Sequence, residues 1–213
     1  MRIGLVGPLR ASTPDAESGR AAEGDDELFR EAASFLLGDA DADQIVFLGE
    51  AAFLDRATQA WARSLGPDVA DEARFLARAA ELAASGTADA LERLLDADAA
   101  VARLSSIRKL PPPPARAVEL VDDRVVLFVH DKAVLDEEDI ANAHLVVYGR
   151  ADESAIRRFG RRVFFTPGPL SKRQVGLLEA SEDGVALSLF DLSGEPVWRE
   201  AISAGPSKMT VAS

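Results

Sequence analysis

Two short apolar runs, Ile3-Gly4-Leu5-Val6-Gly7 and Ile45-Val46-Phe47-Leu48, constrain this chain more than any other feature. Each is continuous and bounded by turn residues, the pattern of a strand buried on both faces. Between them Leu28, Phe29, Ala32, Phe35 and Leu36 recur at helical spacing. Asp25 or Asp26 is placed to cap that helix, and Gly38 to stop it. Strand, helix, strand in this order predicts a right-handed crossover and a parallel pair. Functional loops in such sheets gather at the carboxyl ends of the strands, which brings Pro8 to Arg10 and Glu50 to one edge.

The rest of the chain adds a helical segment and then a β-rich half. Pro8 to Gly24 holds Pro, Ser, Gly and Asp without a period and reads as a long loop. Residues 51–108 read as helical almost throughout, broken at Gly66-Pro67 and Ser85-Gly86. Their apolar faces are Phe53, Ala57, Ala60 and Trp61, then Phe75, Leu76, Ala79 and Leu82, then Leu91, Leu94 and Leu95. Trp61 is expected in the core. Pro111 to Pro114 reads as a rigid polyproline spacer. Arg116 to Leu120 and Val125 to Val129 form a hairpin about Asp122-Asp123. A short helix over Asp136 to Ile140 precedes a strand at Leu145 to Tyr148, which His144 opens in a structural role. Val163–Phe165, Gln174–Leu178, Val185–Phe190 and Pro196–Ile202 are further strands. Helix-flanked strands first and hairpins later predict two packed sheets with helices outside. Residues 1–203 are expected to form one domain, with a helical insertion at about 51–108, and residues 204–213 a flexible tail.

Composition narrows the function. A net charge of -12 argues against nucleic-acid binding, which needs a basic footprint. The basic cluster Arg157-Arg158-Phe159-Gly160-Arg161-Arg162 reads as a solvated turn, or as a docking patch for an acidic partner. Zero cysteines exclude disulfides, thiolate zinc sites and cysteine nucleophiles. No apolar run approaches the roughly 20 residues that span a bilayer. The Met1 to Gly7 stretch is too short for a signal peptide, so a cytoplasmic location is the expectation. No Gly-x-Ser-x-Gly elbow, phosphate-binding Gly-Lys-Ser/Thr loop or Gly-x-Gly-x-x-Gly fingerprint is present.

Two strand–loop frames carry a more specific message. Leu145-Val146-Val147-Tyr148 runs into Gly149-Arg150-Ala151-Asp152, and Val163-Phe164-Phe165 into Thr166-Pro167-Gly168-Pro169-Leu170. This framing resembles the calcineurin-like metallophosphoesterases, whose corresponding strands end in Gly-His-Thr-His and Asn-Pro-Gly-Ser-Leu. The resemblance covers roughly residues 1–50 and 116–202, and is strongest to the compact bacterial phosphodiesterase branch. It implies a four-layer αββα sandwich of two mixed β-sheets, with an enlarged helical segment. It also implies a centre in which two cations about 3.5–4 Å apart clamp the oxygens of a phosphate ester.

Carried over residue by residue, that centre is degenerate. The first motif, Asp-x-His, falls on Pro8-Leu9-Arg10, neither end of which ligates metal. The second, Gly-Asp, falls on Gly49-Glu50, where Glu50 keeps the charge on a longer arm. The third, Gly-Asn-His/Cys-Asp, is unrecognisable and is placed by spacing near Asp96 or Asp98. The fourth is His130. The fifth gives Gly149, Arg150 and Asp152. A guanidinium about 4 Å from a divalent ion would repel it by on the order of 8 kcal/mol at an effective dielectric of 20. The reading favoured is therefore a pseudoenzyme: an acidic interaction scaffold or regulatory module with no catalytic residues, no cofactor and a protein partner. In it Arg10 or Arg150 pairs with Glu50 and Asp152 in space the cations held. Two alternatives stand beside it. One is a phosphodiesterase or phosphatase with manganese or another divalent metal on Glu50, His130, Asp152 and Asp98. The other is a metal-free sensor gripping a phosphate-bearing ligand through Arg10, Arg150 and His130.

Overall fold

The structure is a computed structural model that describes residues 1–10, 24–66, 68–69, 71–181 and 184–202. Most of the loop expected at Pro8 to Gly24, the Pro67 helix break and the tail at 204–213 lie outside those residues.

In chain order the elements are β1 (Arg2–Val6), α1 (Asp25–Leu37), β2 (Gln44–Phe47), α2 (Ala51–Leu65), α3 (Glu72–Ser85), α4 (Ala88–Leu104) and β3 (Ile107–Lys109). The second half follows as β4 (Ala117–Val121), β5 (Arg124–Val129), α5 (Glu137–Asn142), β6 (Leu145–Tyr148), β7 (Ala155–Phe159) and β8 (Arg162–Thr166). It ends with β9 (Gln174–Ser181), β10 (Gly184–Asp191) and β11 (Pro196–Ile202). One sheet runs β11-β10-β9-β1-β2-β3 and the other β4-β5-β6-β8-β7. Both are mixed: β1, β2 and β3 are parallel, as are β5, β6 and β8, while β9, β10 and β11 in the first sheet and β4 and β7 in the second pair antiparallel with their neighbours.

Three apolar clusters make the layers. Inward-facing Ile3, Leu5, Val46 and Leu48 meet Phe128, Leu145, Val147, Val163 and Phe165 between the sheets. On the far side of the first sheet α1 and α2 dock through Phe29 and Phe53, and Phe29 meets Phe47 edge-on at 5.6 Å. On the far side of the second sheet a smaller cluster of Leu127, Val129, Val146 and Tyr148 lies under Leu135 and Ala143, which flank α5. The fourth layer of the αββα sandwich is thus thin. Charge pairs close both ends of the sandwich, Arg108 of β3 to Glu119 of β4 and Arg158 of β7 to Glu200 of β11.

Several local expectations need correction. α1 is capped by Gly24, with no side-chain cap; Asp25, Asp26 and Glu27 instead fill its first turn, where carboxylates suit the positive helix end. The helical segment stops at Leu104, and Ile107–Lys109 forms a strand where the composition had suggested helix. The apolar stripe of α3 buries no residue, and Leu76 is 59% exposed. Trp61 is partly buried at the edge of the α1–α2 cluster, with the Arg30 guanidinium 5.8 Å from its ring centroid. The proline run is folded into a turn closed by the Ala115 N–H on the Pro112 carbonyl at 3.0 Å. The β4–β5 hairpin does turn on Asp122 and Asp123, both at positive φ (47° and 59°). His144 accepts from the Val125 N–H at 3.1 Å, a structural bond as expected. No helix among the described residues is long and apolar enough to cross a membrane.

Candidate functional site at the strand tips

The carboxyl ends of β1, β2, β5, β6 and β8 meet at one edge of the sandwich, and main-chain contacts hold them there. The Pro8 carbonyl accepts from the Leu170 N–H at 2.7 Å, and the Leu9 carbonyl from the Ser171 N–H at 2.9 Å. The His130 carbonyl accepts from the Arg150 N–H at 2.7 Å. Gly7 and Gly149 are required by close approach rather than by a special dihedral. A Cβ on Gly7 would stand 1.8 Å from the Gly168 carbonyl oxygen, and one on Gly149 2.4 Å from that of Leu48. The half-buried His130 ring joins the same stitching, its Nδ1 lying 3.1 Å from the Leu48 carbonyl oxygen. A carbonyl only accepts, so Nδ1 is the donor in this contact.

The structure therefore brings Pro8, Gly49, His130, Gly149 and the Arg150 backbone together at this edge. The charged side chains are arranged otherwise than expected. Arg10 pairs with Asp25 (Nη2 to Oδ2, 3.4 Å), and Arg150 with Asp131 (Nη1 to Oδ2, 3.1 Å). Neither is paired with Glu50 or Asp152 among the described contacts. Glu50 is exposed at the N-cap of α2 and makes no side-chain cap bond. Asp152 lines a groove with Lys132, Tyr148, Arg157, Phe159 and Phe164, residues on or beside the outer face of the second sheet. Asp96 and Asp98 sit within α4. The strand tip next to β2 is that of β3, so the loop in the third motif's place is Leu110-Pro111-Pro112-Pro113-Pro114.

The sequence reading missed Asp25 and Asp131, the carboxylates that neutralise the two arginines. Asp131 was findable, since it directly follows His130 at the end of β5.

A two-metal centre needs carboxylate, imidazole and carboxamide donors from several strand ends. β1 offers Pro8 and Arg10, β3 leads into prolines and β6 offers Arg150, which leaves His130 Nε2 and an exposed Glu50. Among the described residues no three His, Asp or Glu side chains are grouped so as to hold an ion. The donor set does not fit the group.

No protein-family model matches this sequence, and no curated protein matches it. Solved structures do match. Vps29 from Chaetomium thermophilum superposes with a TM-score of 0.51 at 11% identity, over 99% of this chain and 100% of that one. A single-mutant Vps29 from Entamoeba histolytica gives 0.50 at 10% identity, over 94% of this chain and 99% of that one. Both are calcineurin-like metallophosphoesterase folds. This chain has the metallophosphoesterase fold. At such identities the likeness is one of architecture. Within the metallophosphoesterase fold, the strand-tip edge described above is where the sequence resemblance places the motif positions.

Proposed function

We propose that this protein keeps the metallophosphoesterase fold as a non-catalytic scaffold that binds another protein in the cytoplasm. The observation that carries this reading is the pair of internal ion pairs, Arg10 with Asp25 and Arg150 with Asp131, at positions where the resemblance expects metal ligands. A fixed guanidinium with its own carboxylate is a locally balanced arrangement that needs no cation. Adding a divalent ion beside it would set the ion against the guanidinium's own positive charge.

The two alternatives draw less support. A manganese-dependent phosphodiesterase would need Glu50, His130, Asp152 and Asp98 at one place, and the described residues do not gather them. A phosphate or nucleotide sensor would need the forks of Arg10 and Arg150, each of which is engaged by an aspartate.

The test is turnover of bis-p-nitrophenyl phosphate and p-nitrophenyl phosphate with manganese, nickel or cobalt. The expected rate equals that of the chelated control. Metal-dependent hydrolysis abolished by Glu50→Gln and by His130→Ala would overturn the proposal. A melting-temperature rise with a specific nucleotide would favour the sensor instead.

A further inference from the structure

The second sheet's outer face is only partly covered, and arginines gather along its β7–β8 hairpin. Toward β7 the thin layer around α5 ends, and a groove of about 850 Å³ opens beside Lys132, Tyr148, Arg157, Phe159 and Phe164. Phe159 is 59% exposed and meets Phe164 edge-on at 5.4 Å between ring centroids. The Lys132 ammonium stands 4.7 Å over the Tyr148 ring. In the β7–β8 register Arg157 lies opposite Phe164 and Phe159 opposite Arg162, so rings and cations alternate across the floor. An exposed ring in a concavity flanked by cations has the composition of a docking surface rather than of a solvated sheet.

Charge complementarity names the occupant. On a chain of net charge -12 the β7–β8 hairpin concentrates Arg157, Arg158, Arg161 and Arg162. Arg158 is held by Glu200, and Arg162 donates to the Ala141 carbonyl at 3.3 Å. Arg157, Arg161 and Lys132 have no carboxylate partner among the described residues. We propose that this groove docks a short acidic segment of a partner protein that carries an aromatic side chain. Its carboxylates meet Arg157 and Lys132, and its ring packs among Tyr148, Phe159 and Phe164. Asp152 and Glu153 also line the groove and make its Ala151–Ser154 side acidic, which orients the segment. A short segment senses charges within a Debye length of about 8 Å, whereas a long polyphosphate would also meet the acidic remainder of the surface. This assignment rests on the scaffold reading.

Fluorescence anisotropy of a labelled random glutamate–tyrosine copolymer against the full chain tests it, with polyglutamate, polylysine and oligothymidylate as comparisons. The expected order places the copolymer first, with affinity falling as salt rises. Arg157→Glu and Phe159→Ser should each weaken it by about tenfold or more. Both side chains are exposed, and thermal melts of the variants verify folding; Lys132→Glu, on the opposite wall of the groove, is the substitute should one of them fail to fold. Absent copolymer binding, binding indifferent to the variants, or stronger binding of oligothymidylate would each overturn the docking site. Phosphodiesterase turnover measured on the same preparations separates the two ideas. Turnover sinks the scaffold reading, whereas missing copolymer binding without turnover sinks only this groove.

Discussion

Replacing Gly7 with alanine probes how the strand tips are closed. The added Cβ would stand 1.8 Å from the Gly168 carbonyl oxygen and 3.0 Å from its carbonyl carbon. Carbon and oxygen normally approach no closer than about 3.3 Å, so one segment must move by roughly 1.5 Å. Neither can yield by changing a rotamer, because both are backbone. Gly168 sits at φ 74° with its N–H on Thr166 Oγ1 at 3.1 Å, and Pro8 is tied to Leu170 one residue beyond Gly7. The cost belongs at the upper end for overpacking, about 3 kcal/mol. At roughly 2–4 °C per kcal/mol for a chain of this size, the melting temperature should fall by about 6–12 °C. Gly160→Ala is the control. Gly160 lies in the β7–β8 turn at φ 63°, and a methyl added there meets nothing within 4 Å, so only left-handed strain is added, about 1 kcal/mol. Far-UV circular dichroism melts of both variants decide the matter. A Gly7→Ala protein that melts no lower than Gly160→Ala would refute closure by backbone contact.

Two further outcomes follow from charge. The Asp139 backbone N–H, at 2.8 Å, holds the Asp136 carboxyl below its ordinary 3.8, with Arg116 adding in the same direction. A depressed value means that this group's contribution is full above 3.8 and is lost as pH falls through the lower folded value. Asp136→Asn keeps an acceptor but no charge, so urea midpoints should differ from wild type at neutral pH and converge in acid; a constant gap would contradict the assignment. Prolonged chelation followed by added manganese should leave the melting temperature within about 1 °C, since only ligands that favour the native state raise it. A rise of several degrees on adding manganese would mean that an ion site exists.

How much of this fold was legible depended on how each strand meets water. β1, β2, β5, β6 and β8 lie inside their sheets and are largely buried, and such strands leave near-continuous apolar runs. β3 and β7 are edge strands, and they were the ones missed. Of β3 only Ile107 is buried, and of β7 Arg157, Arg158 and Phe159 are exposed, so neither carries an apolar signature. Charged residues on an edge also discourage pairing with a further strand, which removes the pattern a reader looks for. α3 failed in the opposite sense. Its Phe75, Leu76, Ala79 and Leu82 keep helical spacing, but periodicity marks an apolar stripe without saying what covers it.

The candidate site divides along the same line between backbone and side chain. Its frame was readable because chain reversals at strand ends need glycine and proline, and Gly7, Gly49, Gly149 and Pro167–Pro169 stand at those ends. Its charge pairing was not readable, because Arg10 finds a partner 15 residues away and Arg150 one 19 residues away, distances that no local pattern encodes. The two levels are physically separable here. Main-chain bonds from Leu170 to Pro8, Ser171 to Leu9 and Arg150 to His130 tie the tips together, and the His130 ring adds one side-chain contact. A metal that organises its own loops contributes folding free energy, and losing its ligands then destabilises the protein. Where the loops are tied by amides, an arginine at a strand tip leaves the fold intact provided that a carboxylate stands within reach of its charge. Asp25 at the start of α1 and Asp131 next to the end of β5 meet that condition, which is how this sandwich carries cations at its strand tips.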